Sequence, residues 1–189
     1  MKPVFLSAWL RNPLQVGAVV PSSEVLTNAM AAQISLGSGL TVELGAGTGA
    51  VTSALLTRGV TSDRLIVVEK DHILAGKLAL KYPELTVLQG DAARLQQLLR
   101  QSELGLVDNV VSSLPLLSMR SHTRIRVLSG IFNSLQPEGK LVQFTYSPRP
   151  PIPDRLASSL RVAGKRIDLI IWNLPPAHVW VYKHISSNA

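Results

Sequence analysis

The residues best suited to chemistry are a carboxylate and three glycines in the segment Val42-Glu43-Leu44-Gly45-Ala46-Gly47-Thr48-Gly49. Glycines at such a point permit a tight turn and let the backbone approach a ligand closely. Because Gly45, Gly47 and Ala50 also satisfy the dinucleotide pattern G-x-G-x-x-G/A, the glycines alone leave the ligand open. Glu43 separates the alternatives, since a carboxylate can hold a cationic ammonium by charge-assisted hydrogen bonding and would repel a pyrophosphate.

Two further acids extend this pattern along the chain. Glu69 ends an apolar run about 20 residues later, where an acid can accept hydrogen bonds from both ribose hydroxyls. Asp91, in Gly90-Asp91-Ala92, ends the next run and can accept from an adenine amino group. Taken singly, Glu43 or Asp91 could equally be a helix cap or a solvated loop acid. Together with the glycines, the acids predict a nucleoside pocket at the carboxyl ends of adjacent strands.

The elements that must position these acids alternate between short β-branched runs and longer helical patterns, which predicts a doubly wound parallel sheet. The turn Pro137-Glu138-Gly139 is expected before the fifth strand, and Asn173-Leu174-Pro175-Pro176-Ala177 predicts a terminal hairpin with an antiparallel strand. The predicted strands are Leu40–Leu44, Arg64–Glu69, Thr86–Gly90, Val107–Ser112, Leu141–Thr145, Ile167–Trp172 and His178–Lys183. The predicted helices are Glu24–Gln33, Ala50–Thr57, Ile73–Lys81, Ala92–Arg100, Ser121–Leu135 and Asp154–Ala163.

The composition restricts the chemistry. The chain has 189 residues and no cysteine, which removes disulfides and thiolate sites, and its four histidines lack ligand-like spacing, so no metal site is expected. A net charge of +7 favours polyanions, either nucleic acid or anionic lipid. No apolar run approaches the roughly 18 residues that span a bilayer, and no signal peptide is recognised. We therefore expect a cytoplasmic or peripheral membrane location.

With its glycine segment and three acids, the sequence resembles the class I S-adenosylmethionine-dependent methyltransferases over nearly the whole of residues 40–184. The resemblance implies S-adenosylmethionine as cofactor and a single-domain α/β Rossmann-like fold, with a seven-stranded, mostly parallel sheet and an antiparallel C-terminal hairpin strand. One domain is expected over residues 1–189, with N-terminal amphipathic or lid helices over 1–35 and the core over 36–189. The predicted cofactor-binding residues are Gly17, Glu43, Gly45, Ala46, Gly47, Thr48, Glu69, Lys70, Asp91, Ala92 and Ser112.

The acceptor site is expected after the fourth strand, because methyl transfer needs an uncharged nucleophile held close and aligned. Ser113-Leu114-Pro115 predicts a rigid turn there, whose carbonyls can accept a hydrogen bond from an amine. Enzymes that methylate nucleobase amines usually place an Asn-Leu-Pro-aromatic or Asn/Asp-Pro-Pro-aromatic turn at this point. Since Ser113-Leu114-Pro115-Leu116 lacks the amide and the stacking aromatic, a flipped base is disfavoured. Asn173-Leu174-Pro175-Pro176 matches only superficially and is interpreted as a turn.

The N-terminal segment carries separate information. Phe5, Ala8 and Trp9 follow helical spacing, with Lys2 and Arg11 at the ends. A short amphipathic helix of this kind can lie in a membrane interface. It can equally pack on the domain, and the sequence leaves both possibilities open.

Motifs along the whole chain resemble the bacterial phospholipid N-methyltransferases: Trp9-Leu10-Arg11-Asn12-Pro13, Val16-Gly17-Ala18-Val19-Val20-Pro21-Ser22-Ser23, Leu114-Pro115-Leu116-Leu117-Ser118-Met119, Gln143-Phe144-Thr145-Tyr146, Asn173-Leu174-Pro175-Pro176-Ala177 and Val179-Trp180-Val181-Tyr182. This resemblance implies methylation of phosphatidylethanolamine toward phosphatidylcholine at the inner face of the cell membrane. It makes Ser113, Leu114, Pro115 and Tyr146 the candidate catalytic residues, with Tyr146 orienting the amine.

The expected partners are an anionic membrane surface and a phospholipid substrate, reached through Phe5, Trp9 and Arg11. No stable nucleic acid partner and no protein partner is expected. Because the family is similar to the ribosomal RNA adenine dimethylases, a ribosomal RNA adenine N6-methyltransferase is the alternative. A non-catalytic binding protein is disfavoured by the intact Glu43, glycines, Glu69 and Asp91. A nicotinamide-dependent oxidoreductase is disfavoured by Glu43 and Asp91.

Overall fold

The computed structural model describes residues 23–37, 39–171, 173 and 175–185. The predictions for Phe5, Trp9, Arg11 and Gly17 concern residues outside these ranges. The same holds for the predicted amphipathic helix that contains Phe5 and Trp9. They stay predictions.

Seven strands form one sheet in the order β3-β2-β1-β4-β5-β7-β6. β7 runs antiparallel to both of its neighbours, while the pairs among the first five strands are parallel. This confirms the predicted α/β fold with its antiparallel C-terminal hairpin strand. The strands are β1 Thr41–Leu44, β2 Leu65–Glu69, β3 Thr86–Gln89, β4 Val107–Ser112, β5 Leu135–Thr145, β6 Val162–Ile170 and β7 Ala177–His184.

Helices cover both faces of the sheet, and each face has its own apolar core. β1 and β2 each have a neighbouring strand on both sides and are buried at every position, as expected for parallel strands covered on both faces. None of the described helices is both long and apolar enough to cross a bilayer. The helices are α1 Glu24–Ala31, α2 Ala50–Arg58, α3 His72–Lys81, α4 Leu95–Gln101, α5 Ser121–Phe132 and α6 Asp154–Ser159.

Local sequence explains where two of these helices begin. The Ser23 hydroxyl accepts from Leu26 N (3.3 Å) at the start of α1. The Asp71 carboxylate accepts from Ile73 N and Leu74 N (2.9 and 3.0 Å) at the start of α3. Both side chains satisfy backbone donors that have no partner within the helix.

The structure corrects several predicted boundaries. β5 begins at Leu135, so the predicted turn Pro137-Glu138-Gly139 lies within the strand. There the pairing jumps from Val107–Leu135 to Asn109–Lys140, which leaves extra residues on β5 as a bulge. Proline and glycine indicate this interruption, but the sequence predicts it as a turn before the strand, whereas the structure has it as a bulge within the strand. α6 ends at Ser159. Val162 and Ala163, which the sequence predicts as helix, are the first residues of β6.

Gly164 in β6 gives a testable packing requirement. A Cβ at Gly164 would lie 2.1 Å from Cε1 of Tyr182, its partner on β7. The Tyr182 ring is 2% exposed, stacks on Trp180 and accepts a hydrogen bond from Ile152 N, so it cannot move aside cheaply. We expect Gly164→Ala to lower the free energy of unfolding by about 2 kcal/mol.

Thermal unfolding measures this effect, as a melting temperature lower by roughly 4–8 °C. The matched control is Gly76→Ala in α3, where an added Cβ meets nothing within 4 Å. This control should be neutral or slightly stabilising, because alanine favours helix over glycine. Equal melting temperatures for Gly164→Ala and the wild type would show that the sheet accommodates the methyl group.

Candidate cofactor and acceptor site

The glycine loop after β1 adopts backbone angles that favour glycine. The φ angles of Gly45, Gly47 and Gly49 are +72°, +57° and +83°. A Cβ at Gly45 would lie 2.9 Å from Leu114 Cδ2, whereas one at Gly47 would meet nothing within 4 Å. Gly45 is therefore packed against the turn after β4, and Gly47 borders open space into which a ligand can come close to the backbone.

Glu43 lies in β1, two residues before the first glycine of this loop, and is fully buried. Its Oε2 accepts a 2.6 Å hydrogen bond from the Thr52 hydroxyl on α2. Its Oε1 has no hydrogen-bond partner among the residues that the structure describes. Burial raises the pKa of the Glu43 carboxyl to about 7, with the Thr52 hydrogen bonds opposing the rise and the charge of Glu69 adding to it. A free carboxylate oxygen in such surroundings would be stabilised by a cationic ligand.

Glu69 ends β2 and is 8% exposed. Its Oε2 accepts from Gly47 N and its Oε1 from Asp71 N, both at 2.9 Å. The carboxylate thus joins the glycine loop to the start of α3. The sequence predicts a ribose contact for Glu69, and the structure adds that the same group shapes the loop.

Asp91 follows β3 and is partly exposed. Its Oδ1 accepts from Ala93 N (2.9 Å) and its Oδ2 from Lys70 Nζ (2.9 Å). The Ala93 hydrogen bond, followed by that of Lys70, holds the pKa of Asp91 below its usual value. Asp91 therefore caps the short 3-10 helix Ala92–Arg94 and also stands at the strand edge, so a cap and a ligand contact are compatible here.

The predicted acceptor turn packs against the cofactor loop. Ser112, the last residue of β4, is fully buried, and its hydroxyl accepts from Leu114 N (3.3 Å). Ser113 N donates to Leu44 O (3.0 Å), so the turn is hydrogen-bonded to the strand that carries the glycine loop. Pro115 begins the short 3-10 helix Leu116–Ser118. These contacts keep Ser113-Leu114-Pro115 close to Gly45.

Tyr146 comes directly after β5 and is half-buried. Its ring meets that of Phe144 edge-to-face, with centroids 5.2 Å apart. Asn173 lies in the hairpin turn, as predicted: its Nδ2 donates to Pro175 O (2.7 Å). The same amide accepts from Ser23 N (3.2 Å), which fixes the start of α1 to the hairpin.

The other predicted cofactor residues surround the same loop and strand ends. Ala46 and Ala92 are buried, whereas Thr48 and Lys70 are exposed. Gly45 N donates to Val68 O and Gly90 N to Glu69 O, both at 2.9 Å, which brings the ends of β1, β2 and β3 together. The residues predicted between Glu43 and Ser112 thus gather at the carboxyl edge of the sheet.

Sequence reasoning assigned no role to two side chains that belong to this site. Thr52 holds Glu43, and Gln143 in β5 holds the acceptor turn, since its Nε2 donates to Leu114 O (3.0 Å). Gln143 could have been recognised as a polar residue within an otherwise apolar strand segment. Thr52 gave no such signal, because a threonine on a helix is common.

No family model matches the chain, but comparisons with known proteins find proteins that are similar to it in sequence and in structure. The chain is 30% identical over 149 residues to an ornithine lipid N-methyltransferase from Singulisphaera acidiphila, covering 77% of this chain and 78% of the relative. A TehB-like SAM-dependent methyltransferase from Corynebacterium glutamicum is similar in structure, with a TM-score of 0.60, 16% identity and coverage of 96% and 97% of the two chains.

A second solved structure is the magnesium protoporphyrin IX methyltransferase from Synechocystis with bound SAM. It has a TM-score of 0.64 and 14% identity, and the match covers 86% of this chain and 77% of that one. At these identities the two structural likenesses establish a shared fold.

Proposed function

The chain belongs to the family of this ornithine lipid N-methyltransferase, and on that basis we propose that it methylates the amine of phosphatidylethanolamine, toward phosphatidylcholine, at the inner face of the cell membrane. It is an S-adenosylmethionine-dependent methyltransferase, and S-adenosylmethionine is its cofactor. The relative is named for another membrane lipid that bears an amine, which supports a lipid acceptor over the adenine of ribosomal RNA. The phospholipid acceptor itself is the proposal.

The structural observation that supports methyl transfer from this cofactor is the buried Glu43 carboxyl group, one oxygen of which has no hydrogen-bond partner among the described residues, in the strand that leads into a glycine loop where Gly47 borders open space. These residues fit the cofactor, because its amino-acid portion carries an ammonium that a buried carboxylate can hold. Glu69 and Asp91 would hold its ribose and adenine. When bound, S-adenosylmethionine supplies an electrophilic methyl group on a sulfonium.

The chain's own contribution is mainly to position the acceptor. Ser112 and Gln143 each hold one backbone group of Leu114, so the turn that faces the acceptor has little freedom. Holding a nucleophile in one orientation removes much of the entropic barrier to displacement. Burial beside Leu114 and Pro115 would also lower the pKa of a lipid ammonium, which favours the neutral amine that can react. Tyr146 is proposed to orient that amine.

Exposed residues on the outer strand β6 support the proposal that the protein contacts a lipid surface. β6 borders the sheet, and its residues between Val162 and Ile170 are exposed. Ile167, Leu169 and Ile171 are 41%, 43% and 61% exposed and recur at every second position. Lys165 and Arg166, also exposed, precede them. Aliphatic side chains beside basic ones suit an anionic bilayer, where each basic residue contributes on the order of 1 kcal/mol.

We expect the double variant Leu169→Ser/Ile171→Ser to bind anionic vesicles about tenfold more weakly, because it removes apolar area that would enter the interface. Co-sedimentation with phosphatidylglycerol vesicles measures the effect without any substrate present. The matched control is Leu80→Ser. Leu80 is 85% exposed on α3, which connects β2 and β3 at the opposite end of the sheet from β6. Equal binding by the double variant and the wild type would leave membrane contact to Phe5, Trp9 and Arg11.

The substrate proposal is tested with labelled S-adenosylmethionine and three acceptors side by side: vesicles of phosphatidylethanolamine, vesicles containing ornithine lipid, and ribosomal RNA. We expect label in phosphatidylethanolamine. Label in ornithine lipid alone would move the acceptor to the lipid named for the relative. Label in RNA alone would overturn a lipid acceptor altogether.

A further inference from the structure

Gln143 is a fully buried amide at the heart of the acceptor site. It pairs in register with Ser112, the last residue of β4. Its Nε2 donates to two backbone carbonyls, Leu114 O at 3.0 Å and Phe144 O at 2.8 Å. These bonds fix the orientation of the amide, since exchanging its oxygen and nitrogen would set an acceptor against two acceptors.

The other end of this amide is not satisfied. Gln143 Oε1 is buried and has no hydrogen-bond partner within the described part of the chain. A buried amide oxygen without a partner destabilises the folded protein, and such atoms in native proteins call for an explanation. Methionine has a similar shape and would fill the same space, but it would lack both the Nε2 hydrogen bonds and the Oε1 acceptor.

The neighbouring turn has no side-chain amide like that of Gln143. Ser113-Leu114-Pro115 offers backbone carbonyls, but no side-chain amide, and the Ser112 hydroxyl is engaged with Leu114 N. Gln143 Oε1 belongs to the same amide group that holds Leu114 O, so it lies beside this turn. The strand next to the turn thus carries a spare hydrogen-bond acceptor where the substrate nitrogen is expected.

We propose that Gln143 Oε1 accepts a hydrogen bond from an N–H of the acceptor amine, so that β5 supplies the amide that the turn after β4 lacks. This inference rests on the proposed amine acceptor. The hydrogen bond uses an N–H and leaves the nitrogen lone pair free to point at the methyl group. Gln143 is therefore a binding residue that aligns the nucleophile.

This role depends on how many methyl groups the amine already carries. A neutral primary amine has two N–H bonds and a monomethylated amine has one, but a dimethylated amine has none. The hydrogen bond to Gln143 Oε1 should therefore assist the first two transfers and not the third. A purely structural role would affect all three transfers alike, because the same turn serves each of them.

The test compares Gln143→Met with the wild type on vesicles of phosphatidylethanolamine and of its monomethylated and dimethylated forms. We expect kcat/KM to fall about tenfold more for the first two lipids than for the third, as for the loss of one hydrogen bond, because the loss of the Nε2 bond to Leu114 O affects all three lipids alike. Affinity for S-adenosylhomocysteine, measured by calorimetry, should be unchanged. The matched control, Gln101→Met, alters an exposed glutamine at the end of α4.

Each outcome decides the matter. Equal losses with all three lipids would overturn the role of Gln143, and a water bridging Gln143 to its cross-strand neighbour Trp180 would give that result. If the wild type does not methylate the dimethylated lipid, this lipid is tested as an inhibitor of phosphatidylethanolamine methylation. Its inhibition constant then takes the place of the third kcat/KM. A wild type that binds cofactor but methylates no lipid would overturn the proposed function, and the role of Gln143 with it.

Discussion

Glu69→Ala is expected to weaken the binding of S-adenosylmethionine by about a hundredfold. Its carboxylate accepts from Gly47 N and Asp71 N at 2.9 Å each, so the variant loses the link between the glycine loop and α3. It also loses the proposed contact to the ribose hydroxyls. At the lower end of the roughly 1.5–3 kcal/mol that each charge-assisted hydrogen bond of this kind contributes, two bonds to the ribose hydroxyls account for about two orders of magnitude. Titration calorimetry measures it directly.

Two variants show whether this loss is specific. Glu69→Gln keeps one side-chain acceptor and should fall between the wild type and Glu69→Ala. Glu84→Ala removes an exposed acid between α3 and β3 and should bind like the wild type. Thermal unfolding of each variant shows whether the fold persists. Wild-type affinity in a folded Glu69→Ala would remove Glu69 from the cofactor site.

The fold could be predicted from the sequence because its strongest signals are local. The run that became β2 is apolar at every position except the terminal Glu69, which indicates a strand covered on both faces. The hairpin followed from two strand-like runs around Asn173 and its prolines. The boundaries of β5 and α6 did not follow, because pairing with neighbouring strands decided them. Leu135 and Val162 join the sheet through partners distant in sequence, which a local pattern does not contain.

The candidate site could likewise be predicted only in part. Glu43, Glu69 and Asp91 could be predicted to share an edge, since parallel strands end together. What each carboxylate does without a ligand could not be predicted, because that depends on hydrogen bonds made across elements. Glu69 holds the glycine loop and Asp91 holds Lys70, whereas Glu43 keeps a free oxygen among the described residues. The role of Gln143 likewise arises only when β5 lies beside β4.

The stability of the free protein should depend on pH through Glu43. Burial raises the pKa of this carboxyl from 4.5 to about 7, so the folded state keeps a proton that the unfolded state has lost. The contribution of the protonated group to stability is complete below about pH 4.5. It is lost as the pH rises through 7, and the loss amounts to about 3 kcal/mol by pH 8. A cationic ligand reverses this loss by stabilising the ionised carboxylate.

Urea unfolding of the wild type and Glu43→Gln from pH 5 to pH 8 measures this dependence. The difference between the two curves isolates Glu43, because every other titratable group is the same in both proteins, and we expect it to change by about 2.5 kcal/mol over this range. Cofactor affinity of the wild type should fall about tenfold from pH 8 to pH 6, as Glu43 takes up its proton. Parallel unfolding curves together with pH-independent cofactor binding would mean that Glu43 is ionised throughout this range, which would contradict the raised pKa. The predicted pattern would instead show that the protein is less stable with an empty site because it keeps a buried acid ready for a cation.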